Sequence, residues 1–336
     1  MNKKLIATLL SAAMCLSLAA CGQKADAPAG SGSGSGAVSA SNGEKTQYTV
    51  GICQLIQHVA LDAATQGFID ALNEALPGQV TIENKNASGE PNNCATIVNG
   101  FVSEGVDLIM ANATGALTAA ASATADIPIL GTSITAYGVA LDMDNFSGTV
   151  GGNISGTSDL ADLSKQADMI LEWFPETQKV GLLFCSAEAN SKYQIDEVAK
   201  HLADKGIETK EFAFTDTNDV ASVTQAAADY SDVVYIPTDN AAASNTEAIA
   251  NVLVPAGVPA ICGEEGICSG CGVATLSISY YDLGVTTGKM AAKILTGEAD
   301  ISTMPIEYTD ATPKYNAAMC EQLGITPVEG YTAIEG

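Results

Sequence analysis

Cys262, Cys268 and Cys271 are the first residues whose type and spacing could do chemistry. A Cys-x-x-Cys pair with a third thiol nearby suits thiolate metal binding or disulfide exchange. A closed zinc site needs four ligands, and the chain has only His58 and His201 and no second Cys-x-x-Cys to complete one. Small buried residues, with room for one local disulfide, are the better reading, so neither metal nor cofactor is expected. Catalytic signatures are missing too: there is no Gly-x-Ser-x-Gly elbow, no His-Glu-x-x-His and no phosphate-binding Walker loop. Gly148 to Gly156 is glycine-rich without the spacing that cradles phosphate. Two histidines give little scope for imidazole acid–base catalysis. A carboxylate-dependent hydrolase is the enzyme alternative, and the chain reads as a binder.

What recurs instead is a polar residue set directly after each apolar run. Gln54, Gln57 and His58 follow the first run, Asn112 and Thr114 the third, and Ser133 and Thr135 the fourth. Later come Ser186, Glu188, Asn190 and Ser191, then Thr238-Asp239-Asn240, then Glu264 and Glu265. Hydroxyls, amides and helix N-terminal N–H groups can hold a carboxylate. Asp239, Glu264 or Glu265 can pair with an ammonium. Each has a plainer explanation: Thr114, Ser158, Asn190 and Asp239 or Asn240 sit where helix caps belong, and Glu264-Glu265 can be solvated loop charge. Their shared position after apolar runs is the stronger signal.

The elements that position these residues alternate. Strands are expected at 48–53, 80–84, 107–111 and 128–132, with helices at 61–76, 92–103 and 114–124 between them. The order recurs with strands at 179–185, 209–214, 232–236 and 258–262 and helices at 190–205, 219–230 and 240–253. Apolar strands alternating with helices predict parallel sheets covered on both faces. Val50-Gly-Ile matches Val180-Gly-Leu, and Ile127-Pro-Ile matches Val258-Pro-Ala, so two similar α/β lobes are expected. Parallel sheets gather ligands beyond the C-terminal ends of their strands, and two lobes with facing ends form a cleft. Residues 142–157 read as a crossing segment, 158–174 as a helix, 273–278 as a strand and 281–295 as a helix returning to the first lobe.

Composition bounds the partners. The formal charge is −25, becoming −27 if Lys3 and Lys4 are removed with the N-terminal segment. Such a surface repels nucleic acid and anionic lipid. All fourteen basic residues are lysine, so no bidentate guanidinium clamp exists for an anionic ligand. Met1 to Ala20 has a basic start, a short apolar run and small residues before Cys21, which describes a secretory signal too short to span a membrane. It resembles the bacterial lipoprotein signal, which would leave Cys21 for lipid attachment; an ordinary cut near Ala20 is the alternative. Residues 21–46 form a Gly/Ser-rich tether. The expected organisation is signal 1–20, tether 21–46, first lobe 47–140 completed by 280–310, second lobe 141–279, and a tail 311–336 of undetermined lobe.

Several stretches resemble the ABC-importer solute-binding family whose better-known members bind tryptophan or tyrosine. They are Gly51-Ile-Cys-Gln-Leu-Ile-Gln-His58, Gly156-Thr-Ser-Asp159, Glu188-Ala-Asn190-Ser191, Tyr235-Ile-Pro-Thr-Asp-Asn240 and Tyr280-Tyr281-Asp-Leu-Gly284. The resemblance implies Rossmann-like lobes of the periplasmic-binding-protein kind, hinged to close on a small metabolite, most simply an amino acid. It implies delivery to a membrane permease driven by an ATPase, with the chain a monomer lipid-anchored outside the cell membrane; a receptor presenting ligand to a membrane sensor is the runner-up. Carried over, the ligand-binding candidates are Gln54, His58, Thr114, Thr135, Ser158, Asn190, Asp239 and Asn240, joined by Glu264 and by Tyr137 as a stacking surface. Three departures concern the ligand: Val59 replaces a proline, Thr135-Ala136-Tyr137 replaces Thr-Asp-Pro, and Ser279 replaces an Asp before the paired tyrosines.

Overall fold

A computed structural model describes residues 47–335. The expected signal, the tether and Cys21 lie outside the described residues. The first sheet contains β1 (Tyr48–Gln54), β2 (Val80–Asn86), β3 (Leu108–Asn112), β4 (Ile129–Ile134) and β5 (Ile154–Ser158). α1 (Val59–Ala75), α2 (Pro91–Glu104), α3 (Thr114–Ala123) and the single turn α4 (Tyr137–Ala140) connect them. The second sheet is built from β6 (Lys179–Cys185), β7 (Glu208–Phe214), β8 (Val233–Ile236), β9 (Ala260–Cys262) and β10 (Ala274–Ser277). Its helices are α5 (Leu163–Trp173), α6 (Ala189–Asp204), α7 (Val220–Tyr230), α8 (Asn240–Ala243), α9 (Thr246–Ala256) and α10 (Glu265–Cys271). The chain then returns through α11 (Tyr280–Leu295) and β11 (Glu307–Tyr308) and ends with β12 (Thr312–Tyr315), α12 (Ala317–Leu323) and β13 (Thr332–Ala333).

The strand orders are β11-β5-β4-β3-β1-β2 and β13-β12-β10-β9-β8-β6-β7. The run β4-β3-β1-β2 is the counterpart of β9-β8-β6-β7, so the internal similarity in sequence is a similarity of topology. All pairings are parallel except that of β10 with β12. Each sheet buries apolar clusters on both faces, and this is why its strands carry Val, Ile and Leu almost without polar interruption.

Three segments cross between the sheets, at 159–162, 278–279 and 309–311. The first crossing lies later than the expected boundary after residue 140, because β5 pairs with β4 and belongs to the first sheet. Ile154-Ser-Gly-Thr-Ser158 reads as loop because Ile154 is its one large apolar residue, yet all five residues are buried. Its hydroxyls are satisfied internally: Thr157 Oγ1 lies 2.9 Å from Thr287 Oγ1 and 3.2 Å from Thr132 Oγ1, and Ser155 Oγ donates to Met304 O. The following helix accordingly begins at Leu163, capped by Asp162, and not at Ser158. Residues 240–253, expected as one helix, are split into α8 and α9 at Ser244–Asn245, and the Cys-x-x-Cys segment forms α10. Its two thiols, Cys262 and the other four described cysteines are buried and unbridged. The tail joins the second sheet, where Tyr331 packs edge-on against Trp173 at 5.2 Å.

α11 is held on the first lobe by a close seam with α1. A Cβ on Gly284 would lie 1.9 Å from the Ala64 carbonyl oxygen, and one on Gly67 would lie 2.1 Å from that of Tyr281. Only backbone that can approach this closely lets the returning helix lie against α1 and bring Tyr280 to the crossing. Gly284→Ala is expected to lower the unfolding free energy of residues 47–336 by about 1–3 kcal/mol, as overpacking does. Chemical denaturation checks this, and an unchanged midpoint would remove the seam's importance.

Candidate functional site

The C-terminal strand ends of both sheets face a common pocket. From the first lobe it is lined by His58 and Leu61 after β1 and by Ser133 and Thr135 at the end of β4. Asn190 at the start of α6, Thr238, Asp239, Asn240 and Ala243 around α8, and Glu264 after β9 line it from the second lobe. Asp159 and Tyr280 enter from the crossing segments. The pocket is closed down to room for roughly one water molecule. Beside it, sharing Asn190 and Asn240, opens a groove of about 910 Å³ between the lobes.

Buried polar atoms normally find partners. Three of those that do not, among the described residues, line this pocket: His58 Nδ1, Ser133 Oγ and Asp159 Oδ1. Ser133 is placed there by strain. The β4–β5 register shifts between Gly131 and Ile134, and Ser133 takes φ +55°, a left-handed conformation uncommon for serine. Asp159 follows the last residue of β5; its Oδ2 accepts from the Tyr280 hydroxyl at 3.0 Å, and the Thr135 hydroxyl lies against the same carboxylate. His58 Nε2 meets Asn240 Oδ1 at 3.2 Å, a side-chain bridge from one lobe to the other.

The electrostatics are one-sided, for no lysine lines the pocket. Burial raises Asp159 to about 6, and burial with the nearby Asp159 and Glu265 charges raises Glu264 to about 7. Just behind the wall, burial and the Asp239 charge push Glu188 up to about 8. Asp239 itself is raised by burial, and burial lowers His58, so its imidazole is neutral. A cation entering here meets carboxylates that lack a counter-charge.

The sequence candidates divide clearly. His58, Thr135, Asn190, Asp239, Asn240 and Glu264 line the pocket. Asp239 and Glu264 also serve as caps: Asp239 accepts from Cys185 N and Ala242 N, and Glu264 from Gly266 N and Ile267 N. Gln54 lies behind the pocket, donating to Asp62 Oδ1 at 2.6 Å and accepting from Thr65, and so fixes the start of α1. Thr114 faces the outer groove. Ser158 Oγ donates to Thr135 O within the first lobe. Tyr137 offers no stacking surface: it is buried in the first lobe, its hydroxyl donating to Gly131 O and Thr157 O and its ring against Phe146.

Asp159 and Tyr280 were not among the ligand candidates, since Asp159 reads as a helix cap and Tyr280 lies just before the helix expected at 281–295; Ser133 and Thr238 were read only as polar residues after strand ends. The signal for Asp159 and Tyr280 was the stretches Gly156–Asp159 and Tyr280–Gly284. Ser279, which replaces an acid, is exposed and caps α11 by accepting from Asp282 N, so that replacement leaves the pocket untouched.

Comparison with known proteins agrees with this geometry. A tyrosine-binding protein of Clostridioides difficile is 31% identical over 274 residues, which is 80% of this chain and 78% of that one. A Streptococcus pneumoniae ABC domain in complex with L-Trp superposes with a TM-score of 0.81 at 29% identity, covering 86% of this chain and all of that one. The ligand-free, open structure of a substrate binding protein with adhesive properties from Clostridium difficile gives 0.66 at 31% identity, covering 86% and 99%. The lobes here thus match the ligand complex better than the open form. The model of the family described as "ABC transporter substrate binding protein" matches residues 49–332, nearly the whole of both lobes, and the chain belongs to that family.

Proposed function

We propose that this protein captures an amino acid, of the aromatic class, between its lobes outside the cell membrane and presents it to an ABC permease. The observation that carries the reading is the convergence of unpaired polar atoms on an interlobe pocket with no cation of its own. Asp159 Oδ1 receives the ligand ammonium. The hydroxyl of Ser133 and the Asn190 amide supply donors for the carboxylate, the arrangement a chain without arginine requires. Likeness to a tyrosine-binding protein and to an L-Trp complex supports the ligand class. Tethering through lipid on Cys21 fits this role, because it keeps the lobes close to the permease. Binding and release without turnover, and not catalysis, is the activity proposed.

Thermal unfolding against a panel of amino acids tests the reading. A ligand at about 100 times its Kd adds roughly 2.7 kcal/mol to the unfolding free energy. A clear rise in midpoint with tryptophan or tyrosine is expected, and no rise with any amino acid would refute the ligand class. Asp159→Asn keeps shape but removes the charge that meets the ammonium. Calorimetry is expected to show a loss of about 2–5 kcal/mol in affinity, the usual result of removing one partner of a buried charge pair.

pH separates the empty protein from the complex. Asp159, Glu264 and Glu188 are raised in the fold above their unfolded values, so the folded state binds more protons and the empty protein gains stability as pH falls from about 8 through 6. An ammonium ligand needs Asp159 ionised, so affinity is full above about 6 and declines below it. Between pH 7.5 and 5 the midpoint of the empty protein should therefore rise while the ligand-induced increment shrinks. Parallel movement of the two would exclude Asp159 as the anchor.

A further inference from the structure

The bridge between the lobes has a chemical polarity that fixes what its free end can recognise. Glu188 Oε2 accepts from the backbone N of Asn240 at 3.0 Å, and Oε1 from that of Ala241 at 2.9 Å. Backbone N–H groups can only donate, so both oxygens of an ionised Glu188 are committed as acceptors. The Asn240 side chain must therefore turn its NH₂ toward Glu188, which it does at 2.7 Å, and present Oδ1 to the other side. That oxygen meets His58 Nε2, which must then carry the proton. His58 is the N-cap residue of α1, is partly buried and is kept neutral by that burial. With the proton on Nε2, its Nδ1 is a bare lone pair, buried and without a partner.

The pocket has two ends. Asp159 and Tyr280 form the inner end on the crossing segments, and His58 stands at the outer end, bonded to Asn240, which is shared with the groove. An amino acid whose ammonium sits on Asp159 directs its side chain outward. We propose that His58 Nδ1 is the specificity-determining acceptor of this site: it takes a hydrogen bond from an N–H or O–H on the ligand's side chain. The ligand class narrows to amino acids with an indole or phenol donor, and a purely hydrocarbon ring such as that of phenylalanine leaves the lone pair buried and unpaired. A site built around a substrate donor rejects the analogue lacking it far more strongly than an apolar pocket rejects a change of size. The proposal rests on the amino-acid reading above.

The chain has only two histidines, so ¹⁵N NMR of the histidine-labelled protein is readily assigned with a His201→Gln variant. In the ligand-free protein above about pH 8, where Glu188 is ionised, His58 is expected as the neutral Nε2–H form. Addition of L-tyrosine or L-tryptophan should shift Nδ1 as it accepts a hydrogen bond while Nε2 keeps its proton. An Nδ1–H form, or an Nδ1 signal indifferent to ligand, overturns the proposal.

Calorimetry supplies the second readout. The wild type should prefer L-tyrosine over L-phenylalanine, or L-tryptophan over its benzothiophene analogue, by at least about tenfold. His58→Leu should bring that ratio close to one, and a ratio that survives the substitution overturns the assignment. Failure of every aromatic amino acid to bind the wild type would instead refute the underlying reading. The tautomer seen in the ligand-free protein would still decide whether Nδ1 is an acceptor.

Discussion

A buried carboxylate without a cation of the chain's own is the constraint on which this architecture turns. Asp159 sits where the chain first leaves one sheet for the other, and its carboxylate accepts from the hydroxyl of Tyr280, where the chain comes back, with the Thr135 hydroxyl beside it. One hydrogen bond thus ties two of the three crossing segments and leaves a second carboxylate oxygen facing the pocket. Hinge and binding site share residues. A ligand cation that engages Asp159 acts directly on the segments about which the lobes must turn, with no longer pathway between site and hinge required.

The pocket as closed has room for roughly one water molecule, so anything larger enters only when the lobes part. Closure then has to be favourable with ligand and close to balanced without it, since a ligand shifts only those states for which its affinities differ. The balance is visible in what bridges the cleft. His58 to Asn240 is a single neutral hydrogen bond, worth only about 0.5–1.5 kcal/mol net. That is enough to define a register for closure, while gathering Asp159, Glu264, Asp239 and Glu188 without a cation opposes it and shows as their raised proton affinity. A cationic group between them removes that cost.

The main architecture was legible because burial of a parallel sheet on both faces forces apolar strands, and Tyr48–Gln54, Leu108–Asn112 and Lys179–Cys185 declare themselves by composition. β5 did not, because it solves burial differently. Thr132, Thr157 and Thr287 satisfy one another's hydroxyls, so a strand with one large apolar residue lies fully inside. A pattern of hydrophobicity cannot register a core made of mutually bonded hydroxyls, and the lobe boundary was misplaced accordingly. The same limit explains Tyr137. An aromatic residue after a strand end resembles a stacking surface, but its hydroxyl spans Gly131 and Thr157 carbonyls in a place where Gly156, at φ +143°, lets the two strands approach closely.

The site was legible by position more than by role. Polar residues after apolar strands identified eight of the residues that line the pocket, while capping explained several of the same residue types equally well. The structure shows that for Asp239 and Glu264 the alternatives are not exclusive. A carboxylate whose oxygens cap a helix is oriented by backbone N–H groups and needs no lysine beside it, so the wall of the cleft stays negative. Capping is therefore the means by which a chain without arginine keeps several carboxylates buried around one pocket. Those backbone donors hold each charge in place while leaving the neutralising cation to be brought from outside. The acids that read as ordinary helix caps set the sign of the site, and Asp159, which caps no helix, keeps one carboxylate oxygen unpaired beside them.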